Sequence, residues 1–216
     1  MNVFDILGPV MIGPSSSHTA GAARIGRITR ALLGAPAVHA SILLHAKTYR
    51  GHGTDKALIA GIMGMNTDDE RIRFAPDLAV KEGLEVEITT GEIDGAHPNT
   101  ALITLTDANN RTVSLQGSSI GGGNILVTKV NGMDVSITGQ YTTLIVLHRD
   151  APGTIASVTE EVAQTGANIC NFRLSRNEKG GEAVMTIELE GTIDPDLNDR
   201  IQKLDNIYSS TMLKPI

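Results

Sequence analysis

Thr142-Thr143-Leu144-Ile145-Val146-Leu147-His148, running into Asp150-Ala151-Pro152-Gly153, is an apolar strand that ends in a tight turn. Ile155, Val158 and Val162 follow at helical spacing, so the turn opens a helix, which Gly166 ends. Ile169 to Leu174 reads as a strand, Asn177 to Gly181 as a turn, and Ala183, Met185, Ile187 and Leu189 alternate as another strand. Asp194-Pro195 reads as a cap with proline at the first helical position, and Leu197, Ile201 and Leu204 form the stripe. Residues 207–213 make a last strand. The order is β-α-β-β-α-β, the ferredoxin-like plan. Cys170 alternates with Phe172 and Leu174, which predicts an inward core thiol.

Gly139-Gln140 reads as a joint, giving domains 1–139 and 140–216 in a mixed α+β chain. Upstream, Gly13-Pro14-Ser15-Ser16-Ser17-His18-Thr19-Ala20-Gly21 is a polar loop that becomes a helix. Ile25, Ile28 and Leu32 share one face, so the spacing predicts a helix from near Ser17 to near Leu33, with Gly34 at its left-handed end. Capping needs one hydroxyl, whereas this loop offers four beside an imidazole. Such a helix entry suits a small anion, for example an amino-acid carboxylate.

Residues 37–45 alternate as a strand. Lys47-Thr48-Tyr49-Arg50-Gly51-His52-Gly53-Thr54-Asp55 is a second polar loop entering a second helix, with Thr54 as the expected N-cap and Leu58, Ile62 and Met65 on its apolar side. Two loop-to-helix entries, each with a histidine and a hydroxyl, suggest two walls of one site. Residues 68–74 read as a short edge strand or loop, 76–82 as a helix, and 84–88, 101–106, 112–116, 125–130 and 133–138 as strands. Asn131-Gly132 is a hairpin turn. Gly117-Ser118-Ser119-Ile120-Gly121-Gly122-Gly123-Asn124 reads as a loop whose glycines admit close backbone approach. It lacks the Gly-Lys-Ser/Thr ending of a phosphate-binding loop.

The 216 residues carry a formal net charge of −6 and no Lys/Arg-rich run, which argues against nucleic acid and anionic membranes as partners. No apolar stretch reaches the roughly 18 residues of a membrane span, and the start, Met1-Asn2-Val3-Phe4-Asp5, is not a secretory signal. A cytoplasmic chain is expected. Its one cysteine cannot by itself hold a zinc or an iron–sulfur cluster.

Residues 141–216 resemble an ACT domain, through the strand order, Asp150-x-Pro152-Gly153, and Gly166-Ala167-Asn168-Ile169. The resemblance implies an amino-acid effector near Asp150, Pro152, Gly153, Asn168 and Ile169, and self-association of two such domains. The stretch 13–19, Gly51-His52-Gly53-Thr54-Asp55 and Ser119-Ile120-Gly121-Gly122-Gly123 together resemble the beta chain of iron–sulfur L-serine dehydratases across essentially the whole sequence. The first domain is also similar to the allosteric substrate-binding domain of some phosphoglycerate dehydrogenases. The dehydratase resemblance implies conversion of L-serine to pyruvate and ammonia by a heterodimer. Its four-iron, four-sulfur (4Fe-4S) cluster would be ligated by a partner alpha chain and none of it by this one. Under that resemblance Ser15, Ser16, Ser17, His18 and Thr19 are expected at the active site. Ser15, Ser17 and the helix amides would hold the substrate carboxylate, and His18 would orient substrate or relay a proton. His52, Thr54, Asp55, Gly121, Gly122 and Gly123 are expected at the substrate site or at the subunit interface.

Two other readings compete. A regulatory module could sense an amino acid without doing chemistry. A serine hydrolase could use Ser16 or Ser17 with His18, but neighbours on one helix turn align poorly as nucleophile and base, and no Gly-x-Ser-x-Gly elbow is present.

Overall fold

The structure, a computed structural model, describes residues 19–46 and 53–215. Residues 15–18 and His52 therefore lie outside the described residues, as do the opening apolar segment and the expected helix start near Ser17. The described chain enters through a short π turn at Thr19 and Ala20 into helix α1, Gly21–Leu33. Gly34 ends α1 with φ 72°, as its position predicts.

Strand β1 (Ala37–His45), helix α2 (Thr54–Ile62), helix α3 (Ala75–Lys81) and strands β2 (Glu85–Gly91), β3 (Thr100–Asp107), β4 (Thr112–Gly121), β5 (Asn124–Val130) and β6 (Met133–Ile137) follow. Their sheet has the order β2-β1-β3-β4-β5-β6. β1 and β2 are parallel, joined by a crossover carrying α2 and α3, and the β1–β3 and β3–β4 pairs are antiparallel. In register, Ile42, Ile103 and Leu115 lie side by side, as do Leu44, Ala101 and Gly117. These side chains are buried on one face, while Ser41, Thr104 and Ser114 alternate to the other.

Small residues let α1 and α2 touch backbone to backbone. A Cβ on Gly26 would stand 2.4 Å from the Leu58 carbonyl oxygen, and one on Gly61 2.0 Å from that of Ala23. α1 also packs on β4, where a Cβ on Gly117 would meet Ile25 at 3.3 Å. Gly117 therefore brings α1 down onto the sheet at the place where the functional motifs gather.

The second sheet is built from β7 (Thr142–Arg149), β8 (Asn168–Arg176), β9 (Glu182–Glu190) and β10 (Ile207–Leu213), with helices α4 (Thr154–Gln164) and α5 (Leu197–Gln202). Its order is β10-β7-β9-β8, with the β10–β7, β7–β9 and β8–β9 pairs all antiparallel. That is the ferredoxin-like arrangement expected from the sequence. Leu144, Val146, Met185, Ile187 and Leu189 meet Val158, Val162, Leu197 and Ile201 in one buried core. The chain forms two compact units, 1–128 and 129–216.

Several expectations are corrected. Of the edge strand or loop expected over 68–74, the strand is absent: residues 70–74 form a 3₁₀ turn, capped by Asp69, which accepts from the Arg71 N–H. Gly53, at φ 82°, is the N-cap of α2, so Thr54 is the first helical residue and caps nothing. The stretch 117–121 is strand, not loop: β4 runs to Gly121, and the turn before β5 is only Gly122-Gly123. α5 begins two residues after Pro195, because Asp194 instead closes a turn onto the Asp196 N–H and binds Arg200.

Cys170 is exposed, not inward. A register shift between Ile169 and Asn171 breaks the alternation at that residue. β8 is moreover a sheet edge, so Phe172 and Leu174 stay 38% and 37% exposed although their register partners are in the core.

Candidate active site

One end of the first sheet gathers the motif-bearing segments. β1 ends there at His45 beside Gly91 of β2, β3 begins there at Thr100, and β4 arrives with Ser118 and Ser119. The first turn of α1 rests on β4, because a Cβ on Gly21 would lie 2.0 Å from Ser119 Oγ. Arg24, one turn further along α1, donates from Nη1 to the Gly123 carbonyl oxygen. α2 starts after the same end of β1. Thr19, Thr54, Gly121, Gly122 and Gly123 are thus drawn from three separate motifs to one region, the carboxyl end of β1 and β2. Open sheets with parallel strands commonly carry their sites there.

The hydroxyl chemistry of this end divides sharply. Ser118 Oγ lies 2.7 Å from Thr100 Oγ1, which donates to the His97 carbonyl oxygen at 2.6 Å. Ser118 is thereby the donor to Thr100, and both buried hydroxyls are satisfied. Ser119 is 3% exposed; its N–H donates to the Asn99 carbonyl oxygen at 3.0 Å, yet its Oγ has no partner. Thr54 Oγ1, at the N-terminus of α2, is likewise buried and unpartnered.

His45 is 5% exposed, and its Nδ1 accepts the Ile93 N–H at 3.1 Å. That bond requires a neutral ring with its proton on Nε2. The Glu92 carboxylate, 3.8 Å from the same Nδ1, is therefore a neighbour and not an ion-pair partner. Exposed His97 has the same tautomer, accepting from the Asn99 N–H at 3.2 Å. Arg24 is half-buried, and desolvation, followed by repulsion from Arg27, lowers its pKa.

Of the expected residues, Thr19 is buried at the start of α1 and Thr54 is buried at α2. Asp55 is half-exposed in the first turn of α2. Gly121, Gly122 and Gly123 all have positive φ, 98°, 61° and 79°, which their lack of a Cβ permits. Sequence reasoning missed His45, Arg24, the Thr100–Ser118 pair and the Ser119 hydroxyl. Ser119 stood inside a quoted motif whose glycines took the role. Arg24 sits three residues after Gly21 on a helix face otherwise read only for its apolar stripe.

The turn after β7 is a second polar end. Asp150 Oδ2 accepts from Arg176 Nη1 at 2.7 Å and from the Gly180 N–H at 3.0 Å, tying β7 to the β8–β9 turn. Gly153 caps α4 at φ 88°. Asn168 and Ile169 begin β8, with Ile169 packed against the core. His148, 1% exposed, donates from Nδ1 to the Arg149 carbonyl oxygen, which leaves Nε2 buried and without a partner, as is Thr154 Oγ1.

The Gly180 N–H, then Arg176, lowers the pKa of Asp150 below its ordinary value of 3.8. A depressed carboxyl stabilises the fold above that value and loses its contribution as pH falls through the folded pKa. Melting temperatures of wild type and Asp150→Asn, followed from pH 7 to pH 2, are therefore expected to differ near neutrality and to converge in acid. A gap that stays constant to pH 2 would contradict the assignment.

The family model described as serine dehydratase beta chain matches residues 2–81. The chain is 43% identical over 215 residues to a probable L-serine dehydratase beta chain of Bacillus subtilis (strain 168), covering 98% of this chain and 97% of that one. It is 33% identical over 204 residues to an L-serine dehydratase beta chain of Peptoniphilus asaccharolyticus, covering 93% and 92%. Among solved structures, the ACT domain from a GTP pyrophosphokinase of Chlorobium tepidum matches at 16% identity and TM-score 0.26, over 33% of this chain and 95% of that one.

Proposed function

Because the chain belongs to the L-serine dehydratase beta chain family, we propose that it is the substrate-gripping subunit of a two-chain enzyme that converts L-serine to pyruvate and ammonia. The observation that carries the proposal is the convergence of three motif-bearing segments on one sheet end. There the entries of α1 and α2 are positive helix ends beside unpartnered hydroxyls. Residues 15–19 grip the substrate carboxylate, and His18 orients the substrate or moves a proton. Asp55 and Gly121 to Gly123 line the site or meet the alpha chain.

The 4Fe-4S cluster belongs to the alpha chain. This chain's donors do not fit the cluster. It has one cysteine, exposed on the edge strand β8. Desolvation first, then the Glu190 and Glu188 carboxylates, raises the pKa of that thiol, whereas iron requires thiolate. Among the described residues no group of three His, Cys, Asp or Glu side chains is placed to hold a metal.

In this reading residues 140–216 are the regulatory domain, with the joint in the segment between Ile137, where β6 ends, and Thr142, where β7 begins, whereas the compact units divide earlier, between 128 and 129. A small amino acid near Gly153, and pairing of two copies along the edge that exposes Phe172 and Leu174, complete the reading. Among the described residues no helix is long and apolar enough to cross a membrane, and we place the enzyme in the cytoplasm.

Mixing the chain anaerobically with a cysteine-rich candidate partner is expected to give one co-eluting complex with its iron retained. A chain that elutes unchanged from every such partner, yet binds L-serine by calorimetry, would favour the sensing module instead.

A further inference from the structure

Among the described residues, five buried side-chain atoms have no hydrogen-bond partner; Thr54 and Thr154 open helices of their own, whereas Ser119 Oγ comes from the sheet and sits against the first turn of α1. We propose that Ser119 contacts the substrate, donating its hydroxyl proton to the amino-acid carboxylate beside Arg24. The inference rests on the substrate-gripping reading above and deepens it.

The orphan is specific to this hydroxyl. Ser118, one residue earlier, is fully satisfied by Thr100, and the Ser119 backbone N–H is satisfied by Asn99. A buried hydroxyl without a partner is costly, so an alanine would be the quieter choice for the fold alone. The side chain also occupies a made-to-fit position. Its Oγ lies 2.0 Å from where a Cβ on residue 21 would be, so Gly21 is the residue that allows serine there.

The surroundings select an anion. α1 runs for thirteen residues, has no acidic residue in its first turn, and its N-cap makes no side-chain capping bond. Among the described residues no carboxylate therefore stands at that end to offset the helix dipole. Arg24, one turn further along α1, is bound to the Gly123 carbonyl oxygen and paired with no carboxylate among the described residues. Its half-buried guanidinium carries a desolvation cost that a carboxylate would offset. A hydroxyl donor, a helix N-terminus and an unpaired guanidinium all favour a negatively charged acceptor. The guanidinium would repel the substrate's ammonium group. The carboxylate therefore lies at this end of the site and the reacting hydroxyl points away from it.

The test uses the assembled two-chain enzyme. Ser119→Ala is expected to raise the KM for L-serine about tenfold or more, and to raise the Ki of the unreactive competitor L-alanine by the same factor. It should leave kcat within about threefold, the signature of binding lost equally from ground and transition states. Arg24→Gln is expected to move the same two constants, and it keeps the inference testable if Ser119→Ala fails to assemble. Gly34→Ala, at the opposite end of α1 where φ is 72°, should lower the melting temperature and leave both constants alone.

Unchanged KM and Ki in an assembled Ser119→Ala enzyme would overturn the proposal. So would a fall in kcat with KM unmoved. A parallel His18→Ala enzyme separates the two levels. If it turns over normally, the substrate-gripping reading itself fails. If it is crippled while Ser119→Ala and Arg24→Gln bind serine normally, only the present inference fails.

Discussion

Replacing His18 with alanine is expected to lower turnover of L-serine by about 10²- to 10⁴-fold, the range typical of a lost proton-transfer or orienting group, while the two chains still assemble. The expectation follows from position. His18 immediately precedes Thr19, which is buried where the chain enters α1, and that turn of α1 rests on Ser119 at the sheet end. An imidazole is the side chain whose ordinary pKa suits it to move a proton near neutral pH. The measurement is a steady-state rate on enzyme shown to be assembled by size-exclusion chromatography. Loss of assembly would assign His18 to the interface. Full activity would remove it from the chemistry.

The second large effect concerns stability. Gly61→Ala is expected to destabilise the chain by about 1–3 kcal/mol or more, because the new methyl would lie 2.0 Å from the Ala23 carbonyl oxygen and 2.9 Å from its carbon. Neither atom is the end of a flexible side chain. The helices must separate, and the α1–α2 contact holds much of the first unit's core, from Ile25 and Leu32 to Leu58 and Ile62. For a chain of this length the melting temperature should fall by several degrees. The drop should exceed that of Gly34→Ala, where a Cβ meets nothing within 4 Å and the cost comes only from φ 72°. Equal melting temperatures for Gly61→Ala and wild type would mean that the helices do not touch as described.

The ferredoxin-like unit was legible because its strands alternate cleanly and its helices carry simple apolar stripes. Periodicity of two and of 3.6 is the only information such elements need. The same logic misled at Cys170, where a bulge reverses the alternation and an edge strand leaves apolar residues uncovered. Composition alone makes the glycine stretch before Asn124 a loop. Pairing with β3 instead holds Gly117 and Ser118 in register with Ala101 and Thr100. Long-range pairing of this kind leaves no local signal.

The site divided in the same way. Its motifs could be recognised by their surplus of hydroxyls and glycines. That Gly21 meets Ser119 or Arg24 meets Gly123 depends on contacts about a hundred residues apart in sequence, which no local pattern encodes. Thr54 illustrates the difference within one residue: its type suggested a cap, whereas Gly53 in the left-handed region took that position and left the hydroxyl free for another partner.

The most direct measurement is pyruvate formation from L-serine under anaerobic conditions by this chain alone, by its cysteine-rich partner alone, and by the two together. The account predicts that only the mixture produces pyruvate and that its iron travels with the partner chain. Pyruvate formed by this chain alone, or by the partner at an undiminished rate without it, would contradict the division between substrate grip on one polypeptide and cluster on the other.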